Sequence, residues 1–499
     1  MGRLGDNQWV TRPRSRQAYL GVDLGTSGLK LTLLADTGSI VAEAEASYDV
    51  RSAQRGYAET DPEEWASALF QAASGLEAEV GEAAAASTGE SMGVAGIGVT
   101  GQMHGLVLAD EHGHPVRPAL LWPDQRAAEM LATWQAMAPD ARARLANPLV
   151  AGMAGPMLSW LRRHEPASLE AMTVACSPKD WLRGQLTGDR VTERSDASAT
   201  LLWDVVADDW SSAALTLARV GRDKLPTLVG SDEVVGTTRW PLARRADGGN
   251  APGDVRVVAG GADTACALAA LKATQPAARW PRCLVVNVGT GIQLLRPKAV
   301  SQARLEPVTH LYGDTDAGTY EMAAIQNGGL ALSWVQGALG LSWDDLVATA
   351  RGASPGAQGV SFLPFLTGER GAVASPGSTA GWFNLTSSVG RAEMARAAFE
   401  ALAFLVRRGL QVMGVDDDEI VLSGGGARDP WVRQLIVDVA GRPMRHVHLR
   451  SASAVGAAML AARGVGAVLP VPATVVDVHP VGDPALDAAY TRWLERVDS

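Results

Sequence analysis

The chain has 499 residues, 47% of them hydrophobic and 20% charged, with a formal net charge of −10. That length is too great for one core and points to two domains, while the negative balance argues against a nucleic-acid or anionic-membrane partner. No apolar run is long enough for a membrane span, and three scattered cysteines, Cys176, Cys266 and Cys283, read as buried free thiols of a cytoplasmic protein rather than a disulfide framework or zinc site.

Residues 1–17 are polar and arginine-rich, and read as a disordered leader. Tyr19–Glu45 then alternates apolar runs with turns and predicts a three-stranded meander. Its first turn, Gly25-Thr26-Ser27-Gly28, offers backbone N–H groups and hydroxyls to a phosphate. Asp23, at the end of the first strand, is costly to bury unless it meets a cation or hydrogen-bond donors. A phosphate with Mg²⁺ would satisfy all these groups; an ordinary glycine hairpin is the plainer alternative. Asp61-Pro62 opens a helix to about Ala78, and Glu79–Ser91 is either its tail or a solvated loop.

Val94–Ala109 is a buried strand ending in Gly101-Gln102-Met103-His104-Gly105, where open α/β sheets bind ligands. Leu120–Arg126 brings Trp122, Asp124 and Arg126 together, a set suited to a polyol. Cys176–Gly188 predicts a helix from Lys179 to Leu186 with Ser177-Pro178 at its start and Gly188 at its end. Lys179 reads as a surface residue and Asp196 as structural. Asp247–Gly253 is the clearest linker, which divides the chain into domains at 18–250 and 251–495.

Val255–Leu271 is a strand that runs out at Gly260-Gly261, with Asp263 where the next helix begins. Helix amides there would lower the Asp263 pKa and hold it ionised, ready to accept a hydroxyl proton. A role as an N-cap alone is the alternative. Cys283–Arg296 repeats the hairpin pattern around Gly289-Thr290-Gly291, so the two halves look like a duplication with nucleotide between them. Gln326–Gly329 opens a helix and brings Gly328 near the nucleotide. Ile420–Ala440 is a strand, Gly424-Gly425-Gly426-Ala427 and a helix capped by Asp429-Pro430, able to lay bare backbone against adenosine. Ser451–Gly464 reads as a tightly packed small-residue helix and Val471–Ser499 as a polar closing segment.

YLGVDLGTSGLK, GIGVTGQMHG, LLWPDQR, SPKDWLRGQLTG, VVAGGADTACA, FLPFLTGER and LSGGGARDPWVRQLIVDVAG together resemble the FGGY family of carbohydrate kinases, most closely its xylulokinase branch. The resemblance implies an α/β fold of two actin-like, ribonuclease H-like ATPase domains around a central cleft. It further implies phosphorylation of D-xylulose at its 5-hydroxyl by ATP with Mg²⁺, and it leaves a homodimer open. Carried over position by position, it makes Asp263 the catalytic base and puts Asp23 and Asp263 at the metal. Gln102, Met103, His104, Asp124, Arg126 and Thr264 fall to the sugar. Gly25, Thr26, Ser27, Gly28, Gly289, Thr290, Gly291, Gly328, Gly424, Gly425, Gly426 and Ala427 fall to the nucleotide.

Several positions depart from the pattern: Gly291-Ile292 after the second turn, Gly371-Ala372-Val373 after Gly-Glu-Arg, and Pro123, Met157, Thr264 and Asn384. Lost hydroxyl contacts change sugar selectivity steeply. A kinase for another ketose or polyol, and a silent sugar or nucleotide sensor, therefore stand beside the pentulose kinase.

Overall fold

A computed structural model gives the structure of residues 16–86, 92–239, 254–299, 301–369, 373–375, 377–415 and 418–498. Most of the leader, the linker at 247–253 and residues 370–372 lie outside these. The first sheet contains β1 (Arg16–Leu24), β2 (Gly28–Ala35), β3 (Ile40–Ser47), β4 (Met92–Gly101), β5 (Val234–Arg239) and β6 (Asp254–Ala262), ordered β5-β6-β4-β1-β2-β3. The second contains β7 (Cys283–Val288), β8 (Ile292–Lys298), β9 (His310–Gly313), β10 (Thr319–Ile325), β11 (Glu419–Ser423), β12 (Met444–His448) and β13 (Thr474–Val478), ordered β9-β10-β8-β7-β11-β12-β13.

Each sheet is built on the same plan. An antiparallel meander, β1-β2-β3 or β7-β8-β10, is joined through its first strand to a parallel strand, β4 or β11. A second parallel strand follows, β6 or β12, and an antiparallel strand closes the edge, β5 or β13. The duplication expected from two hairpins is thus a repeat of whole sheets. Leu20, Val22, Ile97 and Val99 are fully buried in the central strands, as parallel strands covered on both faces require.

The helices that bear on the site are α1 (Pro62–Ala86), α2 (Pro178–Thr187), α3 (Arg194–Ala197), α4 (Asp263–Ala273), α5 (Gly329–Leu339), α6 (Arg391–Val412), α7 (Pro430–Ala440), α8 (Ala452–Gly464) and α9 (Pro484–Val497), with others, Ala154–His164 and Trp343–Gly352 among them, in between. The tail of α1 runs on to Ala86, so the stretch after Ala78 is helical that far, while residues 87–91 lie outside the described residues. Ser177 caps α2, Pro178 takes its first position and Gly188 ends it in a left-handed conformation. Asp429 caps α7 by accepting from the N–H groups of Trp431 and Val432. Helix α8 packs on the first sheet, its backbone resting on Gly21 and Gly98, where a Cβ would meet the carbonyls of Ala454 and Ala457 at 1.9 and 2.0 Å. No helix among the described residues is long and apolar enough to cross a membrane.

Two expectations are corrected here. A boundary at 250/251 assigns the strand before Asp263 to the second domain, yet β6 pairs in parallel with β4 and belongs to the first sheet. An apolar run fits either sheet equally well; pairing decides, and pairing is long-range. The closing segment is also not merely polar. Strand β13 edges the second sheet, and α9 buries Leu486, Ala489, Tyr490 and Trp493, an i, i+3, i+4, i+7 stripe that periodicity could have found.

Candidate active site

The turn Gly25–Gly28 joins β1 to β2 and is closed by a Gly25 N–H to Gly28 carbonyl bond of 2.9 Å. Three remote side chains hold it. The Tyr48 hydroxyl donates to the carbonyls of Gly25 and Gly28, the Gln102 amide donates to the Gly25 carbonyl at 3.1 Å, and the Trp122 indole donates to Thr26 Oγ1 at 2.9 Å. Ser27 is exposed and the other three residues are partly buried, so the turn presents its outer face to solvent.

Asp23 sits at the C-terminal end of β1 and Asp263 directly after β6, at the first position of α4. The cap of α4 is Ala262, so Asp263 is not an N-cap. Burial, then the nearby charge of Asp263, raises the Asp23 pKa to about 7, partly offset by Lys30. Burial raises Asp263 to about 6, against the lowering effect of the Thr264 N–H and hydroxyl on its Oδ1, at 2.6 and 3.1 Å. The expectation that helix amides would depress Asp263 is therefore corrected: desolvation outweighs them. Two neighbouring carboxylates that repel one another are a donor set suited to a divalent cation.

Asp263 and Thr264 line a cavity of about 290 Å³ together with Asn287, Gln293, Ser423, Gly424, Gly425 and Arg428. The second turn, Gly289–Gly291, joins β7 to β8, and there the backbone does the holding. The N–H groups of Gly329 and Leu330, at the start of α5, donate to the carbonyls of Gly289 and Thr290 at 2.9 Å each. A Cβ on Gly329 would lie 2.6 Å from the Gly289 carbonyl, and one on Gly424, whose φ is +97°, would lie 2.4 Å from that of Val288. Gly328 likewise abuts Gly291, and Gly426 abuts Val288. The structure thus brings the second turn, the start of α5 and the triple glycine to one place. Glu369 orders the approach to α5 by accepting from the Gln326 N–H at 2.8 Å and the Asn327 amide at 3.0 Å. Ala427, expected beside adenosine, is fully buried in the second core instead.

On the sugar side the expectations divide. His104 has φ +71°, and its Nδ1 donates to the Ala199 carbonyl at 2.8 Å, which leaves Nε2 as the acceptor 3.4 Å from the Tyr312 hydroxyl. His310 stacks on Tyr312 at 5.2 Å, and the Tyr320 hydroxyl lies 3.9 Å from Met103 Sδ. Tyr312, Tyr320 and His310, all on the second sheet, meet the first-domain loop; no local signal marked them. Gln102 turns toward the first glycine turn, and its other amide atom, Oε1, is buried with no hydrogen-bond partner among the described residues. Asp124 and Arg126 are corrected: they grip each other rather than reaching out. Asp124 accepts from the Ala58 N–H at 2.7 Å and from Arg126 Nη2 at 2.9 Å, while Arg126 also pairs with Glu59 and lies 3.8 Å above the Tyr57 ring. Thr264 spends its hydroxyl on Asp263. Lys179, read as a surface residue, is wholly buried among Asp180, Glu193 and Asp196. The three cysteines are free thiols, with Cys176 only partly buried.

The profile of the N-terminal domain of the FGGY family of carbohydrate kinases matches residues 18–270, and that of its C-terminal domain matches residues 284–465. The chain belongs to the FGGY family of carbohydrate kinases. The N-terminal match runs through β6 and into α4, in agreement with the sheet pairing. Among FGGY relatives, the xylulose kinase of Escherichia coli (strain K12) is 31% identical over 454 residues, 89% of each chain. That of Klebsiella pneumoniae is 32% identical over 455 residues, again 89% of each chain. A solved xyloylose kinase from Brucella ovis superposes with a TM-score of 0.81 at 27% identity, covering 96% of this chain and 98% of that one. The protein is therefore an enzyme, a carbohydrate kinase, on the actin-like fold of FGGY sugar kinases.

Proposed function

We propose that this carbohydrate kinase transfers the γ-phosphoryl group of ATP to the 5-hydroxyl of D-xylulose, with Asp263 as general base. The observation that carries the reading is that Asp263 closes β6 in the same cavity as Gly424 and Gly425, with a pKa of about 6. A carboxylate of that basicity is ionised at neutral pH yet is a better proton acceptor than an ordinary aspartate. The sugar lies between the Gln102–His104 loop and the Tyr312 side of the second sheet, its terminal hydroxyl against Asp263. The two glycine turns cradle the phosphates, and bare backbone at Gly424–Gly426 borders adenosine. Asp23 and Asp263 would hold Mg²⁺, which when bound neutralises phosphate charge and aligns the transferred group. Closure of the two domains keeps water from that group. The relatives named xylulose kinases support the sugar, and the His104 geometry supports a polar ketose with hydroxyls to match.

The test is a coupled ADP-release assay across pentuloses, hexuloses and polyols. D-Xylulose is expected to give a kcat/KM at least about 10-fold above any other sugar, the span that a few hydroxyl contacts supply. A higher value for another ketose would replace the substrate while keeping the chemistry; ligand binding without ADP release would remove the kinase reading.

A further inference from the structure

Strand β6 does not run straight into Asp263. Its ladder with β4 shifts register between Val258 and Gly261, and Gly260 has φ +80°. Such a bulge re-aims the strand end and breaks its regular pairing. On either side of the bulge, side chains take the backbone groups. Arg183 Nη1 donates to the Ala259 carbonyl at 2.9 Å, and the Ala262 N–H donates to Ser195 Oγ at 2.8 Å.

Both side chains belong to one buried network. Ser195 Oγ donates to Glu193, 2.7 Å from Oε2, and Glu193 also accepts from the Ser195 and Asp196 N–H groups and the Ser231 hydroxyl. Lys179 Nζ lies 3.5 Å from Glu193, 3.2 Å from Asp196 and 2.7 Å from Asp180; Arg183 joins Asp180 to Asp189. Lys179, Arg183, Glu193 and Ser195 are all fully buried. Buried ion networks are weak contributors to stability, since packed apolar groups would serve as well or better. A network of fixed hydrogen bonds does supply direction, and here it is applied to the Gly261–Ala262 peptide, one residue before Asp263.

We propose that Ser195, oriented by Glu193 and Lys179, is a positioning residue that fixes the Gly261–Ala262 peptide, next to Asp263, and so aims the Asp263 carboxylate. The inference rests on the reading of Asp263 as base. A carboxylate one peptide from a freed N–H swings with that peptide, and a displacement of about 1 Å costs on the order of 100-fold in rate.

The experiment compares Ser195→Ala, Glu193→Gln and Asp263→Ala in the full chain, with MgATP and D-xylulose, reading kcat, both KM values, Tm and sugar-binding stoichiometry. Ser195→Ala is expected to lower kcat by about 10- to 100-fold with both KM values within about 3-fold and full sugar binding. Glu193→Gln, which keeps shape and loosens the hold on Ser195, should give a smaller loss with the same kcat-only signature. It carries the test should Ser195→Ala not fold. The inference is overturned if the folded variants keep kcat within about 2-fold, or if kcat and KM change together in step with lost Tm. Asp263→Ala separates the two readings. Turnover surviving in that variant removes the base assignment and this inference with it, whereas its loss beside an unaffected Ser195→Ala removes this inference alone.

Discussion

The two glycine turns have the same place in their sheets and are held in opposite ways. Gly25–Gly28 has its carbonyls taken by Tyr48 and Gln102 and its Thr26 hydroxyl by Trp122, side chains from three different loops. Gly289–Gly291 has its carbonyls taken by the first N–H groups of α5, with the glycines at 328, 329 and 424 letting backbone lie on backbone. The second turn is a rigid cradle. The first is suspended from the loops that carry Gln102 and Trp122. With the sugar against the Gln102–His104 loop, as proposed, its binding is expected to be felt at the first turn and not at the second.

The largest effect is expected at the proposed base. Asp263→Ala is expected to fold and bind sugar while kcat falls by about 10²- to 10⁴-fold, the usual worth of a positioned base; steady-state kinetics with sugar binding by calorimetry checks it. The second turn should fail by sterics alone. Gly329→Ala puts a Cβ 2.6 Å from the Gly289 carbonyl, and the KM for ATP is expected to rise by about 10-fold or more as the cradle shifts, with the sugar KM little changed.

The first turn should fail by loss of hydrogen bonds and should report on both ligands. Tyr48→Phe removes the hydroxyl that bridges Gly25 and Gly28, a loss of about 0.5–1.5 kcal/mol. The KM for ATP is expected to rise by a few-fold, and more at low sugar concentration than at saturation. An effect on ATP that ignores sugar concentration would undo the suspended-turn reading.

The smallest effect concerns pH and stability without ligands. The folded pKa of Asp23 is raised to about 7, so its protonated form favours folding. That contribution is complete below the unfolded carboxylate value and is lost as pH rises through about 7. Asp23→Asn is therefore expected to raise Tm relative to the parent by about a degree or two at pH 8 and to have little effect at pH 4. Thermal melts at both pH values decide it; a larger gain at pH 4 would reverse the sign.

The amino-acid sequence by itself determined the local pieces: both hairpins and their glycines, the strand–Gly-Gly-Gly–helix unit, the caps of α2 and α7, and Asp263 at a strand-to-helix junction. These are consequences of backbone sterics and short-range hydrogen bonds, which neighbouring residues set. What only the tertiary structure decided depends on contacts between residues far apart in the chain. It gave β6 to the first sheet and turned Asp124 and Arg126 inward upon each other. It buried Lys179 among three carboxylates and brought Tyr312 and His310 across to His104. It also set the basicity of Asp263, because the helix amides expected to lower its pKa are local, while the desolvation that outweighs them comes from elements far away in sequence packed around it.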